Sequence, residues 1–514
     1  MTASPGELYL VIDVGLTNVK AVVLSATGRE VAIAAEPYET KRFDGRAVEQ
    51  DPNEWWRAAR RAIGRIPAGV RKSVTGVVVT GHMHALVILD SDGRLVRDAM
   101  VLGDTRARTE AMEIRERLGD ERIYGLIGTE MDASLPAAKI RYLASHEPDS
   151  YRRASSYLGC KDYIRYRLTG DVATDPTDAC ATGLYDIRSG TWAEELLAAA
   201  AVGREQLPPI RDAASLGGVL HARAAEALGL RTGIPVSVGA GDDVEILGHG
   251  VVGSADVVEH LGTTGALFAP ARALVLDPSR AVEIYPDPAP PGWVLGAAMT
   301  TAGGAIDWAM RLLGYARLED AVGSLAVNGR STIHFSPHMA GRRFPYRDPA
   351  ARGGWSGIEL SATREDLMQA VLTGTAFALR QMLEHIEAVG GGGGDVHGVG
   401  SSPGMRAWDQ HRADIYGRRL ILAPPEPTAR GSLALLLAAT GAHTTVREAA
   451  AAVAQGRETI DPDPIRSAAG SERYRRFLEV EASLSGSRRA ADAPLSVKTL
   501  VGHVADPGLP EGGS

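Results

Sequence analysis

The sequence predicts two related α/β domains facing each other across a cleft, and three observations carry that prediction. First, a strand running into a Gly-x-Thr turn occurs twice. Val11-Ile12-Asp13-Val14-Gly15-Leu16-Thr17-Asn18 lines up with Val258-Glu259-His260-Leu261-Gly262-Thr263-Thr264-Gly265, and the Gly15/Gly262 and Thr17/Thr264 pairs are both 247 positions apart. Second, near mid-chain, Ile234, Val236 and Val238 lead into Gly239-Ala240-Gly241-Asp242-Asp243, after which an apolar helical pattern opens. A strand that ends on glycines and carboxylates at a helix start is where α/β proteins do chemistry. Third, a Gly-rich loop over 398–404 follows a strand candidate late in the second half.

Bulk properties narrow the function classes. At 514 residues the length fits two to four domains, and 45 % apolar with 23 % charged residues is ordinary globular composition. The chain has 55 basic against 63 acidic residues and only 5 % aromatics, so neither a basic nucleic-acid stripe nor a stacking platform is expected. Cys160 and Cys180 are the only cysteines and have no metal-ligand spacing, which points to a reducing compartment. The N-terminus lacks a basic, then apolar, leader pattern, and no apolar run is long enough to span a bilayer. A soluble cytoplasmic protein is expected, with no nucleic-acid or membrane partner; a homodimer stays open.

Taken in order, residues 8–24 read as strand, tight turn and strand, with Gly28 supplying the next turn. Asp13 is a carboxylate embedded in an apolar strand, which is costly unless it is paired or near a metal. Gly15 lets a ligand approach the backbone. Thr17 and Asn18 offer donors and Lys20 a positive charge, so the hairpin fits a phosphate-and-metal site as well as an ordinary turn. Val74–Thr80 is a second buried strand ending at Gly81-His82-Met83-His84. There two imidazoles at i and i+2 share one side of an extended chain and fit sugar contacts, or satisfied structural histidines. Asp104-Thr105-Arg106 marks another strand end. A helix is expected over roughly 105–118 and another over 161–168, then a polar loop with Asp175, Thr177 and Asp178. At the mid-chain turn Asp242 fits a general base and Asp243 a substrate ligand; the alternative is that both are helix N-caps.

In the second half Gly303-Gly304 precedes a helix carrying Trp308. An Arg-, Pro- and Gly-rich loop spans 336–355, and a long amphipathic helix covers 364–389. Helices follow over about 405–416, 431–440 and 445–455, and the tail from Ser485 reads as disordered. Glycines at the 398–404 junction would let the backbone lie against a planar or anionic ligand, or would form a flexible connector. There is no P-loop G-x-x-x-x-G-K-[ST] and no dinucleotide G-x-G-x-x-G after the first strand. Two Gly-Thr hairpins, one per half, fit instead two domains clamping a nucleoside triphosphate.

Several ordered motifs carry a resemblance over roughly residues 8–480: Asp13-x-Gly15-x-Thr17-x-x-Lys20, Trp55-Trp56, Gly81-x-Met83-His84, Asp104-Thr105-Arg106, Lys161-Asp162-Tyr163, Gly241-Asp242, Gly262-Thr263-Thr264-Gly265, Gly303-Gly304 and Gly398-x-Gly400-Ser401. The chain resembles the FGGY family of carbohydrate kinases, within the actin-like ATPase superfamily; Met83-His84 and Lys161-Asp162-Tyr163 look most like its xylulokinase-like branch. The resemblance implies two actin-like, ribonuclease H-like domains, at 1–250 and 251–484. It also implies ATP-dependent phosphorylation of a sugar or polyol, most simply a ketopentose such as xylulose. Glycerol, erythritol, a pentitol, ribulose or gluconate are alternatives; so are a non-catalytic sugar sensor, a chaperone-like ATPase, or an acetate-kinase-like phosphotransferase.

By the same resemblance Asp242 is the base and Asp13 helps hold Mg²⁺. Met83, His84, Asp104 and Asp243 contact the sugar. Gly15, Thr17, Asn18, Lys20, Gly262, Thr263, Thr264, Gly265 and Gly304 serve the phosphates, and Gly398, Gly400 and Ser401 the adenosine. The sequence departs from the family pattern at His82, Gly103, Asp243 and Arg342. Asp243 adds an acceptor-only carboxylate suited to hydroxyl-rich ligands, and Gly103 would widen the pocket.

Overall fold

Apolar residues, many β-branched, dominate Leu8–Val14 and Asn18–Ser25, and in the computed structural model both are strands, β1 and β2. The structure describes residues 6–251, 255–326, 332–399, 405–454 and 456–486. β1 and β2 pair antiparallel with Asp13 opposite Lys20, and β3 (Glu30–Pro37) widens the ribbon. On the other side of β1 lies parallel β4 (Val74–Gly81). β5 (Leu216–Val219) and β6 (Pro235–Ser237) complete the sheet in the order β5-β6-β4-β1-β2-β3, with β6 parallel to β4 and β5 antiparallel at the edge. Helix Pro52–Arg65 covers one face; its N-cap Asp51 accepts from the Asn53 N–H at 2.8 Å, and Trp55 is fully buried beneath it.

The second sheet consists of β7 (Val257–Leu261), β8 (Gly265–Ala271), β9 (Glu283–Pro286), β10 (Trp293–Met299), β11 (Val396–Val399), β12 (Leu420–Ala423) and β13 (Glu458–Ile460). Its order is β9-β10-β8-β7-β11-β12-β13. As in the first sheet, an antiparallel ribbon (β10-β8-β7) joins two parallel strands and ends on an antiparallel one; β9 is added at the ribbon's edge. This topological repeat agrees with the 247-residue spacing of the turns in sequence. Helix Pro427–Ala439 ties the halves together. Its Leu433 and Leu436 share one buried cluster with Val11 and Val78 of the first sheet and Val258 of the second.

Expected helices appear at Arg108–Leu118, Cys160–Thr169, Arg364–Val389, Arg406–Tyr416 and Val446–Val453. Three details differ from the sequence reading. Residues 175–178 are not a loop: Asp175 caps helix Pro176–Ala181, accepting from the Thr177 N–H at 2.8 Å. His82 and His84 do not share a face, because His84 has φ +68° and turns the chain out of the strand. Helix Pro464–Gly486 is an element the sequence pattern did not reveal, and it reaches past Ser485, where the tail was expected to begin. Residues 487–514 lie outside the described residues, as do Gly400 and Ser401.

Candidate active site

The mid-chain turn is built so that only small residues fit. Gly239 has φ +74°, and a Cβ there would lie 2.2 Å from the Val79 carbonyl of β4. Asp242 and Asp243 follow in a short 3₁₀ turn, Asp242–Val244, that leads into helix Glu245–Gly248. Neither element has a side-chain cap bond, so the two aspartates do not serve as N-caps. The Asp242 carboxylate is open to solvent at the cleft, yet protein surrounds it on most sides. That burial first, and the charges of Asp13 and Glu245 second, push its pKa up to about 7; His260 opposes the shift.

Asp13 lies across from Lys20, and burial raises its pKa to about 6. Lys20 Nζ is 2.9 Å from both carboxylate oxygens of Glu426, so its charge is paired within the protein. The turn between β1 and β2 is braced from behind: the Tyr38 hydroxyl donates to the Gly15 carbonyl, and Gln50 Nε2 donates to the Leu16 carbonyl at 3.0 Å. Thr17 is exposed and Asn18 half-buried. Both turns are closed by the N–H of their glycine, Gly15 N–H donating to the Asn18 carbonyl three residues on and Gly262 N–H to the Thr264 carbonyl two residues on, both at 3.0 Å. Thr263 and Thr264 are exposed and Gly265 is buried. Helix Gly303–Leu313 starts directly on this turn, with Gly303 N–H donating to the Gly262 carbonyl at 2.9 Å and Gly304 N–H to the Thr263 carbonyl at 3.0 Å. A Cβ on Gly303 would sit 2.5 Å from the Gly262 carbonyl oxygen. Gly398 is buried near the end of β11.

On the sugar side, Met83 packs against the mid-chain turn: a Cβ on Gly241 would lie 2.7 Å from its Cγ and Sδ. His84 Nδ1 is 3.5 Å from Ser134 Oγ, and burial lowers its pKa to about 4. The positive φ of His84 is held by fully buried Lys139, whose Nζ donates to the His84 carbonyl at 2.7 Å and to the Val101 carbonyl at 3.1 Å. His82, where the family pattern departs, is buried edge-on against Trp55 at 5.6 Å. Asp104 is fully buried; it accepts from the Val48 N–H at 2.9 Å and from Arg106 Nη2 at 2.7 Å. As a sugar ligand it would have to share oxygens that already have protein partners.

Burial first, then Asp175 and Asp242, raises the Asp243 pKa well above the ordinary carboxylate range, and its Oδ1 is buried without a hydrogen bond among the described residues. The sequence reading treats Asp243 as an acceptor-only carboxylate; its buried setting favours the protonated form, which donates as well as accepts. Behind it, Lys161 Nζ lies 2.5 Å from Asp162, 3.2 Å from Asp175 and 3.3 Å from Asp178. Thr177 Oγ1 accepts from the Gly241 N–H at 3.0 Å and donates to Asp175 at 2.7 Å, which connects this buried cluster to the turn.

Several residues that the sequence did not single out border the site. Arg347 reaches Glu130 at 2.9 Å, Asp132 at 3.1 Å and Glu283 at 2.9 Å, and Arg343 reaches Glu283 at 2.6 Å. Asp132 in turn accepts from the Ser134 N–H at 2.7 Å, beside His84. Arg342 pairs with buried Glu481 of helix Pro464–Gly486, so the departure from the family pattern there has a partner elsewhere in the chain.

The model of the N-terminal domain of the FGGY family of carbohydrate kinases matches residues 8–247, and the C-terminal domain model matches residues 258–440. The chain belongs to this family. Within it, this FGGY protein is 30 % identical over 417 residues to a xylulose kinase of Escherichia coli K12, covering 80 % of this chain and 86 % of that protein. It is 30 % identical over 459 residues to a xylulose kinase of Streptomyces coelicolor, covering 88 % and 92 %. Among solved structures, a xyloylose kinase from Brucella ovis superposes with a TM-score of 0.86 at 29 % identity, covering 94 % of this chain and all of that one. The FGGY protein thus has the family's two ribonuclease H-like α/β domains with a cleft between them.

Proposed function

We propose that this FGGY carbohydrate kinase transfers the γ-phosphate of ATP to a hydroxyl of a ketopentose such as xylulose. The observation that carries this is the setting of Asp242: a solvent-open carboxylate at a strand-to-helix turn, with a charge from each hairpin, Asp13 and His260, acting on it. Xylulose as acceptor draws on relatives that bear the name xylulose kinase. In this reading Asp242 takes the proton of the acceptor hydroxyl as its oxygen bonds to phosphorus and ADP leaves. Gly15, Thr17 and Asn18 on one side and Gly262 to Gly265 on the other hold the phosphate chain through backbone N–H groups and hydroxyls. Met83, His84 and Asp243 orient the sugar. The two domains correspond to 1–250 and 251–484.

Among the described residues no cluster of three or more metal-ligating side chains is present. Mg²⁺ bound with a nucleotide takes one or two carboxylates and otherwise phosphates and water. Asp13, whose carboxylate lies under the electrostatic influence of Glu245 and Glu426, is the residue that would hold it. When bound, the ion would neutralise charge on the phosphates.

ADP release with a panel of pentuloses, hexuloses, glycerol, erythritol and pentitols tests the reading. A ketopentose is expected to stimulate most; stimulation by none would overturn it. Asp243 can be probed in the same assay. Because burial favours the neutral form at this position, Asp243→Asn should keep kcat/KM for the best sugar within about fivefold. Asp243→Ala should lose about 10–100-fold, mostly in the sugar KM, as a buried hydrogen-bonding group is removed. Gly303→Ala should displace the second turn and raise the ATP KM about tenfold, with the sugar KM within about twofold, since a donor–acceptor contact to the phosphates is worth that much. Equilibrium nucleotide binding checks this independently of turnover.

A further inference from the structure

Asp13 and His260 occupy equivalent positions in the two hairpins, each two residues before the turn glycine. The repeat has exchanged a carboxylate for an imidazole, and both side chains act on Asp242, from β1 and from β7 respectively. The His260 side chain is 52 % exposed, and its Nδ1 is 3.2 Å from both oxygens of buried Glu245. A carboxylate only accepts, so Nδ1 carries the hydrogen. Nε2 is left free of any protein partner among the described residues. It lies 3.5 Å from where a Cβ on Gly262 would stand, beside the exposed Thr263-Thr264 turn. Glu245 first, with Asp242 adding to it, raises the pKa of the ring to about 9. Lys20, by contrast, is occupied by Glu426.

We propose that His260 binds phosphate: its Nε2–H donates to an oxygen of the nucleotide's phosphate chain, while Glu245 fixes the ring through Nδ1. This rests on the kinase reading above. A hydrogen bond between a charged donor and a phosphate oxygen is among the strong ones, and a cation oriented before the ligand arrives needs no rearrangement to stabilise it. With Asp13 serving the metal on one hairpin and His260 the phosphates on the other, these two equivalent side chains act on opposite charges, while both turns hold the phosphate chain. Glu245 is then a positioning residue, and His260 touches the substrate.

The test is calorimetric binding of ATP, ADP and AMP to the full chain with Mg²⁺, compared between wild type, His260→Ala, His260→Asn and His260→Lys. The expected result is a loss of about tenfold or more in ATP affinity for the Ala and Asn variants, with AMP affinity within about twofold, and partial recovery in His260→Lys. The sugar KM should not move in any of them. Unchanged ATP affinity in His260→Ala would overturn the proposal. So would an equal loss for AMP, which marks a structural role. Sugar-stimulated ADP release by the wild type is measured alongside. Its absence would remove the kinase reading while the ATP-against-AMP comparison still decides the role of His260.

Discussion

Asp242→Ala is expected to lower kcat for sugar phosphorylation by about 10²–10⁴-fold, the contribution typical of a positioned general base. ATP affinity should stay within about twofold, because the turns that hold the phosphates belong to β1–β2 and β7–β8. Steady-state turnover paired with calorimetric ATP binding separates the two effects. The pH profile carries the same signature. The base works deprotonated, and burial together with Asp13 and Glu245 raises its pKa to about 7, so kcat/KM falls as the pH drops through that value. Near-normal turnover in the alanine variant would remove Asp242 from the base role.

Lys161→Met should produce the largest loss of stability. The ammonium is fully buried and faces Asp162, Asp175 and Asp178. Burial and neighbouring carboxylates already hold the Asp175 and Asp178 pKa values above the ordinary range. Removing the cation that pairs with all three leaves these carboxylates buried together, at a cost of about 3–5 kcal/mol. The sign of the pH dependence follows. Asp175 and Asp178 bind protons more tightly folded than unfolded, so the variant should be more stable in a buffer at about pH 5 than at about pH 8. Denaturant midpoints at the two pH values measure this; a deficit under about 1 kcal/mol would show that the lysine carries no such load. Activity should fall as well, because Thr177 links the cluster to the Gly241 N–H.

Much of this arrangement was legible because it leaves marks that local chemistry can read. An aspartate inside an apolar strand, a Gly-x-Thr turn repeated 247 positions on, and paired aspartates after a Gly-Ala-Gly turn each look costly without a function. The 26-residue helix Arg364–Val389 was plain from its periodicity, and the structure adds a Thr363–Asp366 capping box at its start. Helix Pro464–Gly486 was hidden because charges such as Glu472, Arg473, Arg475 and Arg476 surround its few packing residues, Tyr474 and Phe477. Long-range pairings carry no local signal at all. Lys20 meets Glu426 across 406 positions and Arg342 meets Glu481 across 139, and Lys139 holds His84 out of the strand from a helix 55 positions away. The raised pKa of Asp243 comes first from its burial and then from neighbouring carboxylates such as Asp175, which only the folded chain brings close.

The most direct measurement is phosphorus NMR of the products formed from ATP, Mg²⁺ and xylulose. A sugar phosphate ester is expected to appear in step with ADP with the wild-type chain, and not with Asp242→Ala. ADP accompanied only by inorganic phosphate, or the same ester formed at the same rate by the variant, would contradict it.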